Sequence, residues 1–104
     1  MKRFGFKMKL IPGCKEEYRK RHSEIWPELV ELIRSTGVCD YSIFLDEETN
    51  ILFAVQKQGG EESSQDLGNN PVVMKWWAYM ADIMETNPDH SPITIPLEEV
   101  FYLE

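Results

Sequence analysis

The chain opens with alternating apolar and polar residues and then changes to a helical period. The alternating apolar positions, which predict a strand with one buried face, are Phe4, Phe6, Met8 and Leu10. From Lys15 the spacing becomes three or four residues, which predicts a helical stripe through Tyr18, His22, Ile25, Leu29 and Ile33. Pro27 interrupts this stripe, because proline lacks the backbone N–H that a helix interior needs. We therefore expect two helices, with Pro27 in the first turn of the second.

The rest of the chain predicts a hairpin, a long loop, a helix and a last strand. Alternation predicts strands over 39–45 and 51–57. Residues 58–70 are rich in turn formers and poor in apolar residues, so we expect a loop with one helical turn at most. A helix is expected from Pro71 to the Asn87-Pro88 pair, with an apolar face made of Val73, Trp76, Trp77, Met80, Ile83 and Met84. Residues 97–103 alternate again and predict the last strand.

This order of elements is typical of the ferredoxin-like βαββαβ arrangement. It predicts an α+β fold in which an antiparallel sheet carries its helices on one face, with residues 1–104 forming one domain. The other face of the sheet then meets water, a ligand or a second subunit. Because Phe53 and parts of the other strands are apolar on both faces, we expect this face to form a homodimer.

Composition excludes several kinds of partner. The 104 residues include 11 Lys+Arg and 18 Asp+Glu, a formal net charge of −7, and such an acidic chain repels the phosphate backbone of nucleic acids. No stretch approaches the roughly 18 apolar residues of a membrane span. Lys7 and Lys9 interrupt the apolar run that a signal peptide needs, and Cys14 and Cys39 form no Cys-x-x-Cys motif. We expect a cytoplasmic protein that binds neither nucleic acid nor membrane.

His22 is the first candidate for chemistry. Its imidazole, with an ordinary pKa near 6.5, is the side chain best suited to exchange protons at neutral pH. Tyr18 precedes it by four residues, so both side chains lie on one helix face and are able to meet the same ligand. The alternative is a structural histidine, half-buried and bonded to a glutamate or to the backbone.

The aromatic residues Trp76, Trp77 and Tyr41 are candidates for ligand binding. Adjacent helical residues point about 100° apart, so one indole is expected to pack in the core while the other lines a cavity. Tryptophan faces pack against the C–H faces of sugars, and Tyr41 is placed to aim its phenol at the same cavity. The alternatives are two core or interface tryptophans, and a core tyrosine bonded to a backbone carbonyl.

Metal and cofactor motifs are not evident. His22 and His90 stand apart from each other and from any cysteine cluster, so we expect no metal site. Gly59-Gly60 leads into acidic residues that repel phosphate, so we expect no phosphate-bearing cofactor either. The basic run Arg19-Lys20-Arg21 is expected to be a solvated flank.

Several segments taken together carry a family resemblance. They are Glu17-Tyr18-Arg19-Lys20-Arg21-His22, Ile25-Trp26-Pro27-Glu28-Leu29, Tyr41-Ser42-Ile43-Phe44-Leu45, Trp76-Trp77, Asn87-Pro88-Asp89, Ser91-Pro92 and Glu99-Val100-Phe101. Each is weak by itself, but in this order they resemble the L-rhamnose mutarotase family over nearly the whole chain. The loop at 58–70 departs from the family by being more polar and richer in glycine.

The resemblance implies a homodimeric ferredoxin-like domain, a dimeric α/β barrel, that interconverts the α and β anomers of L-rhamnose without metal or organic cofactor. It also implies that His22 is the proton donor. The residues implied to bind the sugar are Tyr18, Tyr41, Trp76 and Trp77. In this hypothesis His22 protonates the ring oxygen, while a phenol or a bound water handles the anomeric hydroxyl.

Two other functions are compatible with such a domain, because a fold does not fix an activity. One is a cofactor-free monooxygenase, which would consume oxygen with an electron-rich aromatic substrate. The other is a non-catalytic sugar sensor, in which the tryptophans bind the ligand and the histidine is structural.

Overall fold

The computed structural model describes residues 2–104, and it contains four strands, three α-helices and one 3₁₀ turn in this part of the chain. In chain order these are β1 Lys2–Lys9, α1 Lys15–Ser23, α2 Pro27–Ser35, β2 Val38–Asp46, β3 Ile51–Gln58, the 3₁₀ turn Ser64–Asp66, α3 Pro71–Met80 and β4 Ile95–Leu97. The strands form one sheet in the order β2-β3-β1-β4, and every neighbouring pair is antiparallel. The chain is therefore a small α+β protein, as predicted.

The predicted break between α1 and α2 is confirmed. Trp26 has extended backbone angles, φ −64° and ψ 129°, and Pro27 is the first residue of α2. Helix α2 then ends before Gly37, which has a φ of 94°, in the left-handed region that favours glycine. The ideal Cβ of any other residue at this position would lie 3.1 Å from the Cα of Gly59. Position 37 therefore needs glycine both for its backbone angles and for space.

The two faces of the sheet differ sharply. The inner face packs Phe6, Met8, Leu52 and Ala54 against residues of α2 and α3, which confirms that the helices cover one side. On the outer face, the register places a set of apolar residues from β2, β3 and β4 on either side of Gly5 and Lys7 of β1. We call this set the apolar strip; its members are Phe44, Phe53, Val55, Ile95 and Leu97, and all of them are exposed.

The predicted last strand over 97–103 is wrong. Strand β4 covers only Ile95–Leu97, and residues 98–104 have no regular secondary structure. The segment contacts β1 through side chains instead, because Arg3 hydrogen-bonds to Glu99 and its guanidinium lies 3.3 Å from the centroid of the Tyr102 ring. Alternation predicts an extended segment, but it does not show where backbone pairing with a neighbouring strand ends.

The predicted length of the last helix is also wrong, because α3 ends at Met80. The backbone N–H groups of Ala81 and Ile83 bond three residues back, to Ala78 and Met80, which tightens the chain into a turn. Met84 then forms an antiparallel bridge with Leu10. Ile83 and Met84 are buried as expected, although they are not helical. None of the helices within residues 2–104 is long and apolar enough to cross a membrane.

Candidate active site

The three helices and the inner face of the sheet enclose a cavity of about 470 Å³. All five predicted site residues line it: Tyr18, His22, Tyr41, Trp76 and Trp77. Its apolar wall includes Ile25, Leu29, Ile33, Ile43 and Leu45. The helical stripe predicted from Tyr18 to Ile33 therefore faces the cavity over its whole length, on both sides of the break at Pro27.

His22 lies in the last turn of α1 between two aromatic rings. Its ring stacks on Tyr18, with centroids 4.2 Å apart, and meets Trp76 edge-on at 5.5 Å. Its Nδ1 is 3.0 Å from the carbonyl oxygen of Tyr18. Because a carbonyl oxygen only accepts, this contact assigns the hydrogen of the neutral imidazole to Nδ1. Nε2 is then the nitrogen that remains for a ligand, with a free lone pair.

The protonation state of His22 follows from its surroundings. Burial lowers the pKa of His22 from its ordinary value of 6.5, and the hydrogen bond to the Tyr18 carbonyl opposes this in part. The cationic residues Lys15 and Arg19 also line the cavity, whereas no carboxylate does so among the described residues. His22 is therefore neutral at neutral pH, and its Nε2 is a proton acceptor.

Tyr41 reaches the cavity because β2 is irregular. The register shifts between Cys39 and Ser42, and Asp40 in this bulge has a φ of 46°. The extra residue changes the alternation, so that Val38 is buried in the core and Tyr41 lines the cavity. Burial raises the pKa of the Tyr41 phenol, and hydrogen bonding by the Ser64 and Gln65 side chains offsets part of this rise. The phenol is therefore protonated and able to donate a hydrogen bond.

Tyr18 is the second phenol of the cavity. Burial raises its pKa strongly, and the nearby Tyr41 adds to the effect. Like Tyr41, it keeps its proton at neutral pH. The two phenols are thus hydrogen-bond donors in the same cavity as the proton acceptor of His22.

Trp76 and Trp77 both belong to the core and both line the cavity, so the expected division between one core and one cavity indole is wrong. They are 8% and 9% exposed. Trp76 meets Trp26 edge-on at 5.1 Å. Trp77 lies against Gly68, where an added Cβ would come within 2.9 Å of its ring. Both indoles are held in place from behind while part of each remains open to the cavity.

Sequence reasoning missed the polar residues Ser64 and Gln65, which line the cavity from the loop at 58–70. The signal was present, because Ser63 and Asp66 have the spacing of a capping box. In the structure the Ser63 side chain accepts a hydrogen bond from the backbone N–H of Gln65, and Asp66 accepts one from the backbone N–H of Ser63. The predicted helical turn is this 3₁₀ turn, and it presents both residues to the site.

Arg21 is not the solvated residue that was predicted for the basic run Arg19-Lys20-Arg21. Its side chain is 10% exposed and donates hydrogen bonds to Glu17, to Asp82 and to the backbone carbonyl of Tyr79. Its guanidinium also lies 4.5 Å from the centroid of the Tyr79 ring. Arg21 therefore fastens α1 to the end of α3, next to the contact between His22 and Trp76. Helical spacing alone does not reveal a partner that is 61 residues away.

We expect Arg21→Met to lower the thermal midpoint by roughly 5 °C, because it removes a set of charge-assisted hydrogen bonds between two helices. The matched control is Lys20→Met, at the neighbouring exposed position on the same helix, which should leave the midpoint within about 1 °C of the wild type. Differential scanning calorimetry measures both. Equal midpoints for the two variants would contradict the role given to Arg21.

His90 does not belong to the site. It is exposed, has a φ of 71° and lies in a later turn, where its backbone N–H donates to the carbonyl oxygen of Asn87. It is not among the residues that line the cavity. Within residues 2–104, no three His, Cys, Asp or Glu side chains come together as a set of metal ligands.

An aromatic cavity with one neutral imidazole and two protonated phenols is typical of a class, that of small enzymes that move protons on a bound ligand. The L-rhamnose mutarotase family model matches residues 3–103. An L-rhamnose mutarotase of Phocaeicola vulgatus is 64% identical over 104 residues, and one of Bacteroides thetaiotaomicron is also 64% identical, both over the full length of each chain. The crystal structure of L-rhamnose mutarotase from Formosa agariphila matches with a TM-score of 0.94 and 58% identity, over 100% of both chains.

The chain belongs to the L-rhamnose mutarotase family, which confirms the resemblance found in the sequence. It is therefore an isomerase of the class that interconverts anomers. The comparisons favour neither a monooxygenase nor a non-catalytic sensor. The expectations of a cytoplasmic location and of no cofactor stay predictions from the sequence.

Proposed function

We propose that this chain interconverts the α and β anomers of L-rhamnose, with His22 as the residue that moves the proton. The observation that carries the proposal is the contact between Nδ1 and the Tyr18 carbonyl, 3.0 Å long, which leaves Nε2 as a proton acceptor in an aromatic cavity. Among the described residues that line the cavity, His22 is the side chain suited to accept a proton at neutral pH.

The proposed reaction needs one proton to leave the anomeric hydroxyl and one to reach the ring oxygen. Nε2 of His22 accepts the anomeric proton while the carbonyl forms at C1 and the bond from C1 to the ring oxygen breaks. The imidazolium then gives this proton to the former ring oxygen, which makes His22 the predicted proton donor. After the aldehyde turns, the same transfers in reverse close the ring on the other face of C1, and the histidine is neutral again.

The other cavity residues are proposed to bind and orient the sugar. The phenols of Tyr18 and Tyr41 keep their protons and donate hydrogen bonds to sugar oxygens, because burial raises the pKa of each. The indoles of Trp76 and Trp77 pack against its C–H faces. The methyl group at C5 of L-rhamnose fits the apolar wall, to which Ile25 and Leu29 belong.

The direct test is NMR saturation transfer between the two anomeric protons of L-rhamnose at equilibrium, with and without the protein. Faster exchange with catalytic amounts of protein supports the proposal. Unchanged exchange with a folded sample contradicts it. Quenching of tryptophan fluorescence by rhamnose without faster exchange would instead indicate a sensor, and oxygen consumption with an aromatic substrate would indicate a monooxygenase.

The proposal predicts how the rate depends on pH. Burial places the pKa of His22 below 6.5, and only the neutral ring has a free lone pair on Nε2. We therefore expect kcat/KM to be level at neutral pH and to fall as the pH drops through this pKa. The measurement is the exchange rate between about pH 5 and 8, corrected with protein-free samples, beside an NMR titration of the histidine ring protons. A rate that falls with a midpoint above 6.5 would contradict this prediction.

We also propose that the domain is ferredoxin-like and forms a homodimer, the dimeric α/β barrel, through the outer face of its sheet. The strand order β2-β3-β1-β4, with the helices on one side of the sheet, supports the ferredoxin-like assignment. The apolar strip supports the dimer, because it exposes apolar side chains of β2, β3 and β4 on one face. Strand β1, which lies between β3 and β4, contributes Gly5 and Lys7 to the same face. A second copy of this face is the partner that would remove the strip from water.

A further inference from the structure

Gln56 is a buried polar residue that does not line the cavity. It lies on the inner face of β3, next to the buried Ala54, and is 0% exposed. A buried amide is costly unless its donors and acceptors are bonded. Its partner is Ser64, in the 3₁₀ turn that contributes to the site.

The contacts with Ser64 determine how the amide is oriented. The Gln56 Oε1 is 2.9 Å from the backbone nitrogen of Ser64, whose N–H can only donate. The other amide atom is therefore Nε2, which donates to the Ser64 Oγ at 2.8 Å. The reverse orientation would bring two donors together at the backbone nitrogen of Ser64. Gln56 is thus a donor to the Ser64 hydroxyl.

The direction of this hydrogen bond fixes the next one. The Ser64 Oγ accepts from Gln56 and also from Nε2 of Gln65 at 3.2 Å, so both of its acceptor positions are filled. Its own hydrogen must then donate. Tyr41 lines the same cavity as Ser64 and Gln65, and hydrogen bonding by these two side chains lowers the pKa of its phenol. We therefore assign the Tyr41 phenol oxygen as the acceptor of the Ser64 hydrogen. With its oxygen accepting from Ser64, Tyr41 directs its O–H into the cavity.

We infer that Gln56 is a positioning residue of the sugar site, which acts through Ser64 to fix Tyr41 as a hydrogen-bond donor to the substrate. This inference rests on the proposed mutarotase function. It assigns a role to the polar loop at 58–70, which departs from the sequence pattern expected of the family. A merely structural Gln56 would affect the stability of the fold and leave substrate binding unchanged.

The test compares Gln56→Met with Gln58→Met. Methionine has nearly the volume of glutamine but lacks the amide. Gln58 is a matched control, because it is 7% exposed on the same strand face and does not line the cavity. We expect Gln56→Met to raise KM for L-rhamnose about five- to tenfold with little change in kcat, as for one lost directed hydrogen bond, and Gln58→Met to leave KM unchanged.

A double-variant cycle with Tyr41→Phe tests whether the effect passes through the phenol. If it does, Gln56→Met should add less than about a twofold change once the phenol is gone. Ser64→Ala removes only the middle group and should raise KM like Gln56→Met, so it carries the test if Gln56→Met does not fold. The inference would be overturned if the KM increases of Gln56→Met and Tyr41→Phe multiplied in the double variant. It would also be overturned if Gln56→Met or Ser64→Ala kept the wild-type KM. No exchange with the wild type would overturn the proposed function as well.

Discussion

His22→Gln should lose between about 10²- and 10⁴-fold in the rate of anomer exchange, the usual contribution of one general acid–base group. Glutamine is able to donate to the Tyr18 carbonyl from its side chain, but it has no nitrogen that takes up a proton at neutral pH. The protein therefore keeps its cavity and loses the group that moves the proton. Saturation transfer at several protein concentrations measures the loss.

The control for this variant is His90→Gln, the same substitution at the exposed histidine outside the cavity, which should exchange anomers at the wild-type rate. Quenching of tryptophan fluorescence by rhamnose should persist in both variants, because Trp76 and Trp77 are unchanged. Near-normal exchange by folded His22→Gln would remove His22 from the mechanism. Equal losses in both variants would show that the histidines matter for stability and not for chemistry.

The site was predictable where it depends on local periodicity. The stripe from Tyr18 to Ile33 places its residues on one face because helical spacing is set by backbone geometry, and Pro27 breaks the helix through its missing N–H. The break does not move the stripe away from the cavity, since α2 resumes with Leu29 and Ile33 against the same space. Tyr18 and His22 lie on the same helix, so helical spacing alone is enough to predict that their rings meet.

The missed features all depend on partners that are distant or in irregular segments. Ser64 is held in the site by Gln56, and Arg21 is held by Asp82 in the turn after α3. Helix α3 ends at Met80 because Met84 forms a bridge with Leu10. The helical spacing of apolar residues continues through Ile83 and Met84, so the sequence does not reveal this end. A hydrophobic period shows which residues are buried, but the hydrogen bonds of the folded chain decide which backbone conformation buries them.

Phe53→Lys should convert the proposed dimer into a monomer, with a mass of 12.2 kDa instead of about twice that value. Phe53 lies at the middle of the apolar strip, on β3 between Phe44 of β2 and Lys7 of β1. A lysine there puts two cations side by side on the face that has to pack against its own copy, and burying unpaired charge is costly. Sedimentation velocity at micromolar concentration measures the mass.

The matched control is Met74→Lys, which replaces another exposed apolar residue, on α3 and outside the strip. It should sediment as the wild type does. A wild-type protein of 12.2 kDa would contradict the dimer outright, and a dimeric Phe53→Lys would place the interface elsewhere. The cavity lies on the helical side of the sheet, whereas Phe53 lies on the other side. The exchange activity of a monomeric Phe53→Lys protein therefore shows whether the cavity needs the partner subunit to keep its shape. Retained activity would mean that one chain carries the whole site.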